Sequence, residues 1–191
     1  MPTLLYLHGF NSSPESKKAQ QTKRWFEQNA PEIEFICPSL PPYGSAAMAL
    51  LEKLVTDRLP DSVTVIGSSM GGFFATCLAE QYNLKAVLVN PAVSPDRGLQ
   101  KWLGENANYH TGEKWLFEPQ HIDEYRRLDP PEIKNKNNYL VLLQSGDEVL
   151  DYRDAQQRYS GCKIILESGG DHSFIDYHQH LKNIHQFLVS A

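Results

Sequence analysis

Gly67-Ser68-Ser69-Met70-Gly71 follows the apolar run Val63–Ile66 and precedes a stretch of helical character. A serine at this spacing between strand and helix suits a sharp turn that lifts its hydroxyl above the strand end. Gly67 and Gly71 lack a Cβ, so strand and helix backbones can approach closely enough for that turn. The hydroxyl becomes a useful nucleophile only beside a base, and the base needs a carboxylate to orient it. Asp147 lies in Gln144-Ser145-Gly146-Asp147-Glu148-Val149, directly after the apolar run Tyr139–Leu143. His172 lies in Ser168-Gly169-Gly170-Asp171-His172-Ser173-Phe174, after the run Lys163–Leu166. Singly, Asp147 is an ordinary turn aspartate and His172 an ordinary loop histidine. Each member of the trio follows a separate strand-like run, and that combination points to acyl transfer through a serine.

Glu148, Asp151, Asp171, Asp176 and Asp96 compete for the acid role. Asp147 is preferred because it stands nearest a strand end, whereas Asp171 adjoins His172 and neighbouring side chains diverge. A tetrahedral oxyanion needs two amide donors. The Met70 amide, just after the serine, supplies one, and the Phe10 amide in His8-Gly9-Phe10-Asn11-Ser12-Ser13 is the candidate second. Gly9 gives that backbone its freedom, and the Phe10 ring can line an acyl pocket. His8 reads as a structural loop histidine rather than a second base.

Six short apolar runs are expected as strands: Thr3–Leu7, Ile33–Cys37, Val63–Ile66, Ala86–Val89, Tyr139–Leu143 and Lys163–Leu166. Most are continuous, as in strands covered on both faces. Helical segments fall between them. The first is expected to open with Ser13 as cap, Pro14 at the first helical position and Glu15 complementing the dipole. Others are expected at Ala46–Leu59, Gly71–Gln81, Asp151–Tyr159 and Ser173–Val189, the last aligning Phe174, Tyr177, Leu181, Ile184 and Leu188 on one face. Alternation of this kind predicts a mostly parallel six-stranded sheet with helices on both faces, its ligand site at the carboxyl edge. One connection, Pro91–Asn138, far exceeds the ~10–15 residues of a simple crossover helix. It carries two of the chain's three tryptophans and is either an enlarged crossover or a helical lid, closed by Pro130-Pro131. The whole of 1–191 reads as a single domain.

Composition narrows the partners. The 191 residues carry 18 Lys+Arg against 23 Asp+Glu, a formal net charge of −5 without any basic run. That argues against nucleic acid or an anionic membrane as partner. With 41 % hydrophobic and 21 % charged residues the chain is an ordinary globular one. No stretch nears the ~18 apolar residues of a membrane span. Met1-Pro2-Thr3 leads straight into a strand without the basic start of a secretory signal. Cys37, Cys77 and Cys162 are odd in number and outside Cys-x-x-Cys spacing, which suits reduced thiols in the cytoplasm. Cys77 is expected to be a small buried residue on the helix after Ser69. No glycine loop has nucleotide-binding spacing, so no cofactor is expected. His178, His180 and His185 do not share a helical face, so no metal is expected either.

These motifs together resemble an α/β-hydrolase, and specifically the small bacterial YqiA-type esterases. The opening run Tyr6-Leu7-His8-Gly9-Phe10-Asn11-Ser12-Ser13-Pro14 is the more family-specific part, beside Gly67–Gly72 and Gly169–Phe174. The chain order Ser69, Asp147, His172 is the order of that superfamily. The resemblance implies a catalytic trio at those positions and an oxyanion hole from Phe10 and Met70. It also implies hydrolysis of carboxylic esters, extending to acyl-CoA thioesters. Relative to larger members, the sequence starts at their third strand, which leaves a smaller sheet. Two other readings use the same residues: a hydrolase-fold protein that binds a ligand or partner without turnover, and an acyltransferase.

Overall fold

Alternate residues of the central strands separate two apolar layers. Leu5, Leu7, Val65, Leu88, Val141 and Leu143 face one side, while Leu4, Tyr6, Ile66, Val87, Leu140 and Leu142 face the other. Both sets are buried because helices cover both faces. The computed structural model describes residues 1–59, 62–109 and 111–190. Its main sheet holds β1 (Thr3–Leu7), β2 (Glu34–Ile36), β3 (Val63–Ser68), β4 (Lys85–Val89), β7 (Tyr139–Gln144) and β8 (Lys163–Glu167), in the order β2-β1-β3-β4-β7-β8. All five pairings are parallel. The expected α/β architecture with a six-stranded sheet is therefore the one observed.

Helices α2 (Gly44–Thr56), α3 (Met70–Tyr82) and α5 (Tyr152–Arg158) pack on the Leu5 side; α1 (Lys17–Asn29) and α6 (Leu181–Val189) pack on the Leu4 side. Strand order reverses between β1 and its neighbours β2 and β3, so the loops leaving β1 and β3 diverge and open a crevice. Gly9 follows the first of those strands and Ser69 the second.

Two helical expectations need correction. α1 starts at Lys17, not at Pro14. Ser13 is occupied in a turn of its own: its Oγ accepts from the Glu15 amide at 3.1 Å and its carbonyl from the Ser16 amide at 3.1 Å. The last helix is also shorter than 173–189. Phe174 and Asp176 take left-handed conformations at φ 61° and 59°, a 3-10 turn covers Tyr177–His180, and α6 follows. All five residues expected on its apolar face, Phe174 to Leu188, are nonetheless buried.

The long connection is more varied than a helical lid. Two 3-10 turns, Pro95–Arg97 and Leu99–Trp102, lead to an antiparallel hairpin, β5 (Gly104–Ala107) with β6 (Lys114–Phe117). Then α4 (Pro119–Leu128) begins with proline in its first turn and a reciprocal Glu118–His121 cap. It ends just before Pro130-Pro131, which cannot continue a helix. Among the described residues, no helix is long and apolar enough to cross a membrane.

Candidate active site

Ser69 stands between β3 and α3 at φ 55° and ψ −121°, a conformation L-residues rarely adopt and one that costs roughly 1–3 kcal/mol. The surroundings enforce it. The Ser69 amide donates to Val89 O at 3.0 Å, and the Ser69 carbonyl accepts from Gly72 and Ala92 amides at 2.8 and 3.0 Å. A Cβ on Gly67 would collide with the Gly71 carbonyl, and one on Gly71 with the Leu7 carbonyl. Both glycines are thus required by close approach rather than by dihedral freedom.

The Ser69 Oγ lies 3.0 Å from His172 Nε2, and His172 Nδ1 lies 2.8 Å from Asp147 Oδ2. With the carboxylate accepting at Nδ1, that nitrogen carries the proton and Nε2 faces the serine as acceptor. The Asp147 side chain is only 2 % exposed. Burial alone would raise its pKa, yet hydrogen bonds from His172 and from the Leu150 and Val149 amides hold the carboxyl below its ordinary value. Both amides reach Asp147 Oδ1 at 2.8 Å. The carboxylate therefore stays ionised at neutral pH, and its stabilising bonds fade only as pH falls through that lowered value.

Polar side chains clamp the loop that carries His172. Asn90, just past β4, donates to the Asp171 and His172 carbonyls at 3.1 and 3.4 Å and accepts from the Gln144 amide at 3.0 Å. Gln144, the last residue of β7, accepts from the Asp171 and Ile175 amides at 3.2 and 2.9 Å. Its Nε2 donates to Ile175 O at 2.9 Å and to Glu167 at 2.8 Å. Glu148 accepts the His172 amide at 3.0 Å, and the Lys18 ammonium reaches Ser173 O at 2.8 Å. These bonds are why the final helix cannot start at Ser173: Gln144 already claims both backbone groups of Ile175. Desolvation lowers the Lys18 pKa to about 8 against the pull of Asp171 and Asp147.

On the opposite side of Ser69 lies the loop after β1. A Cβ built on Gly9 would stand 3.5 Å from Ser69 Cβ and 3.8 Å from its Oγ, so this backbone abuts the hydroxyl. The amides of Phe10 and Met70 donate to no acceptor among the described residues. Met70 opens α3, where the helix leaves its first N–H groups unpaired and concentrates positive potential. Ser69 and His172 open onto a cavity of about 860 Å³ whose apolar wall includes Val93, Leu99, Trp102 and Val149. Phe10 anchors the roof, its ring centroid 5.2 Å from Trp102, 5.6 Å from Trp115 and 5.9 Å from Phe117.

Comparison with known proteins places this arrangement in context. The model of an uncharacterised protein family, UPF0227, matches residues 3–189. The chain belongs to UPF0227. A UPF0227 protein of Serratia proteamaculans (strain 568) is 26 % identical over 188 residues, spanning 96 % of this chain and 97 % of its own. Among solved structures, mouse alpha/beta hydrolase domain-containing protein 10 is similar with a TM-score of 0.75 at 14 % identity, covering 98 % of this chain and 90 % of its own. An esterase, EaEST, from Exiguobacterium antarcticum is similar with a TM-score of 0.69 at 13 % identity, over 100 % and 92 % of the two chains. The fold of this UPF0227 chain is thus that of the α/β-hydrolases.

Four of the rival acids, Asp96, Asp151, Asp171 and Glu148, are engaged elsewhere in the UPF0227 chain, and the fifth, Asp176, stands at the N-cap of the 3-10 turn Tyr177–His180 in a left-handed conformation. Asp96 pairs with Arg126 at 3.1 Å, Asp151 with Arg153 at 2.6 Å, and Asp171 accepts from the Ser173 hydroxyl at 2.6 Å. Glu148 serves the His172 backbone rather than its ring. Cys77 is buried with its thiol directed at Leu128 O, 3.4 Å away, and burial pushes its pKa up. The three histidines near the C-terminus diverge. His180 bonds Glu167 at 3.0 Å and His185 packs on Trp25 and Phe26, and no group of three metal-ligating side chains occurs among the described residues. Asn90, Gln144 and Lys18 were not singled out from sequence. A signal existed for two of them: each amide ends an otherwise apolar strand, KAVLV-Asn90 and YLVLL-Gln144.

Proposed function

We propose that this protein is a cofactor-independent serine hydrolase that cleaves a carboxylic ester or thioester of a small molecule. The observation that carries the reading is the continuous relay from Ser69 Oγ through His172 to Asp147, at 3.0 and 2.8 Å. Ser69 attacks the acyl carbon while His172 Nε2 takes the hydroxyl proton. Amides of Phe10 and Met70 receive the oxyanion, each donor being worth roughly 3–4 kcal/mol in comparable sites. Collapse of the intermediate expels the alcohol or thiol, which takes the proton from His172. Water, deprotonated by the same imidazole, then releases the acid and restores Ser69. Asp147 holds the tautomer throughout.

The roof formed by Pro91–Asn138 closes over the acyl part, and its Leu99 and Trp102 side chains suit an aliphatic or aromatic acyl group. The related fold of an Exiguobacterium esterase supports this chemistry. Three free thiols fit a reducing compartment, the cytoplasm. The test is turnover of p-nitrophenyl esters and acyl-CoA thioesters of graded chain length by wild type and Ser69→Ala. Wild-type turnover with a folded, inactive variant supports the reading; equal rates in both would remove Ser69 from the mechanism. A wild type inert on every member, yet stabilised by one of them, would favour the non-catalytic binder.

A further inference from the structure

His8 is 2 % exposed and sits at the end of β1, beside the loop that faces Ser69. Its two ring nitrogens are both spoken for by backbone. The Leu40 amide lies 3.1 Å from Nε2, and Gly9 O lies 2.9 Å from Nδ1. An amide can only donate, so Nε2 is the acceptor and is unprotonated. Nδ1 therefore carries the hydrogen and donates it to the Gly9 carbonyl. The tautomer follows from the partners alone.

That carbonyl belongs to the peptide unit joining Gly9 to Phe10. In a planar trans peptide, C=O and N–H point in opposite directions. Fixing the Gly9 oxygen on the His8 ring thus fixes the direction of the Phe10 N–H, on the far side of the same plane. A peptide preceded by glycine otherwise rotates with little resistance. The second anchor of this unit is the Phe10 side chain, packed among Trp102, Trp115 and Phe117. Between these anchors, the Phe10 N–H donates to no acceptor among the described residues while Gly9 abuts Ser69.

We infer that His8 is a positioning residue for the reaction: through Nδ1–H and the Gly9 carbonyl it orients the Phe10 amide toward the oxyanion. The inference rests on the serine-hydrolase reading and adds to it a group that touches neither substrate nor nucleophile. A preorganised donor stabilises charge without having to turn at the moment of reaction. Losing the His8 clamp leaves the Phe10 N–H present but misdirected, so the loss appears in kcat and not in substrate binding.

Two substitutions separate this role from simple loop packing. His8→Asn places an amide N–H near the Nδ1 position and can still reach Gly9 O, but gives up Leu40. His8→Gln reaches the Nε2 position and can still accept from Leu40, but offers nothing to Gly9 O. His8→Ala should lower kcat by about 100-fold with KM within about threefold of wild type. His8→Asn should recover kcat to within about tenfold of wild type, while His8→Gln should stay close to His8→Ala. Thermal unfolding of each variant accompanies the kinetics, and if His8→Ala does not fold, the Asn and Gln pair decides alone. Equal recovery by Asn and Gln, recovery by Gln alone, or an unimpaired His8→Ala would overturn the inference. Failure of the underlying reading looks different: wild-type turnover would then be absent or would survive Ser69→Ala, whatever happens at His8.

Discussion

The loop that carries His172 and the roof built from Pro91–Asn138 border the same cavity, yet hydrogen bonding and ring packing hold them in different proportions. The loop is fixed by directed hydrogen bonds from Asn90, Gln144, Glu148 and Lys18, which come from four separate places in the fold. The roof combines ring packing of Trp102, Trp115 and Phe117 about Phe10 with hydrogen bonds to the rest of the chain, Asn11 to Ala107 O at 3.1 Å and Tyr125 to Pro42 O at 2.8 Å, and Tyr109 is 77 % exposed at its rim. Hydrogen bonds specify atom positions to within tenths of an ångström and lose most of their value when bent. Aromatic contacts tolerate several arrangements at similar energy. The proton transfer proposed between Ser69 and His172 needs the first kind of support. The proposed accommodation of acyl groups of different shape needs the second.

Substitutions can break that contrast. Asp147→Asn turns an amide N–H toward His172 Nδ1 and forces the other tautomer, so kcat should fall by about 10³–10⁴-fold with the fold intact. Asp96→Asn, at the carboxylate that pairs with Arg126 away from the relay, should change kcat by less than about twofold. The reverse ranking would move the acid to the end of β4. Gln144→Leu strands the Asp171 and Ile175 amides inside the loop, costing about 2–4 kcal/mol and lowering both Tm and kcat. Trp102→Ala should instead raise KM for longer acyl chains about tenfold while kcat on acetyl esters barely moves. If Trp102→Ala damaged kcat as severely as Gln144→Leu, loop and roof would be one rigid unit and the contrast would fail.

One further expected effect, on stability rather than turnover, concerns Lys18. Burial lowers its pKa from the ordinary 10.5 to about 8. Between those values the unfolded chain holds a proton that the folded chain has released, so stability rises with pH across that window. Below about pH 8 the cost of burying the charge is fully present. Lys18→Met should remove the rise, which urea unfolding at several pH values would detect as a flatter profile. An unchanged slope would mean the ammonium is better solvated than its surroundings indicate.

The layout of strands was legible in the sequence because it depends on local apolar runs. All six strands of the main sheet lie within a residue or two of the expected segments, and Thr3–Leu7 coincides in full. Ser69, Asp147 and His172 could be named for a related reason: each follows a strand, and parallel strands deliver their carboxyl ends to one edge. What escaped depends on contacts distant in sequence. Ser173–Val189 has an unbroken helical period, but Gln144 takes the Ile175 backbone and turns Phe174 and Asp176 left-handed. The β5–β6 hairpin escaped because its four-residue strands carry too short an alternation to separate from loop. His8 reads from sequence as structural, because the carbonyl its ring holds is set by the fold.

The most direct test of an activated serine is labelling by a fluorophosphonate, followed by peptide mapping of native and heat-unfolded protein. The account predicts stoichiometric modification at Ser69, lost on unfolding, because only the folded relay gives that hydroxyl its reactivity. Absence of labelling in the native protein, or labelling that persists after unfolding or maps to another serine, would contradict it.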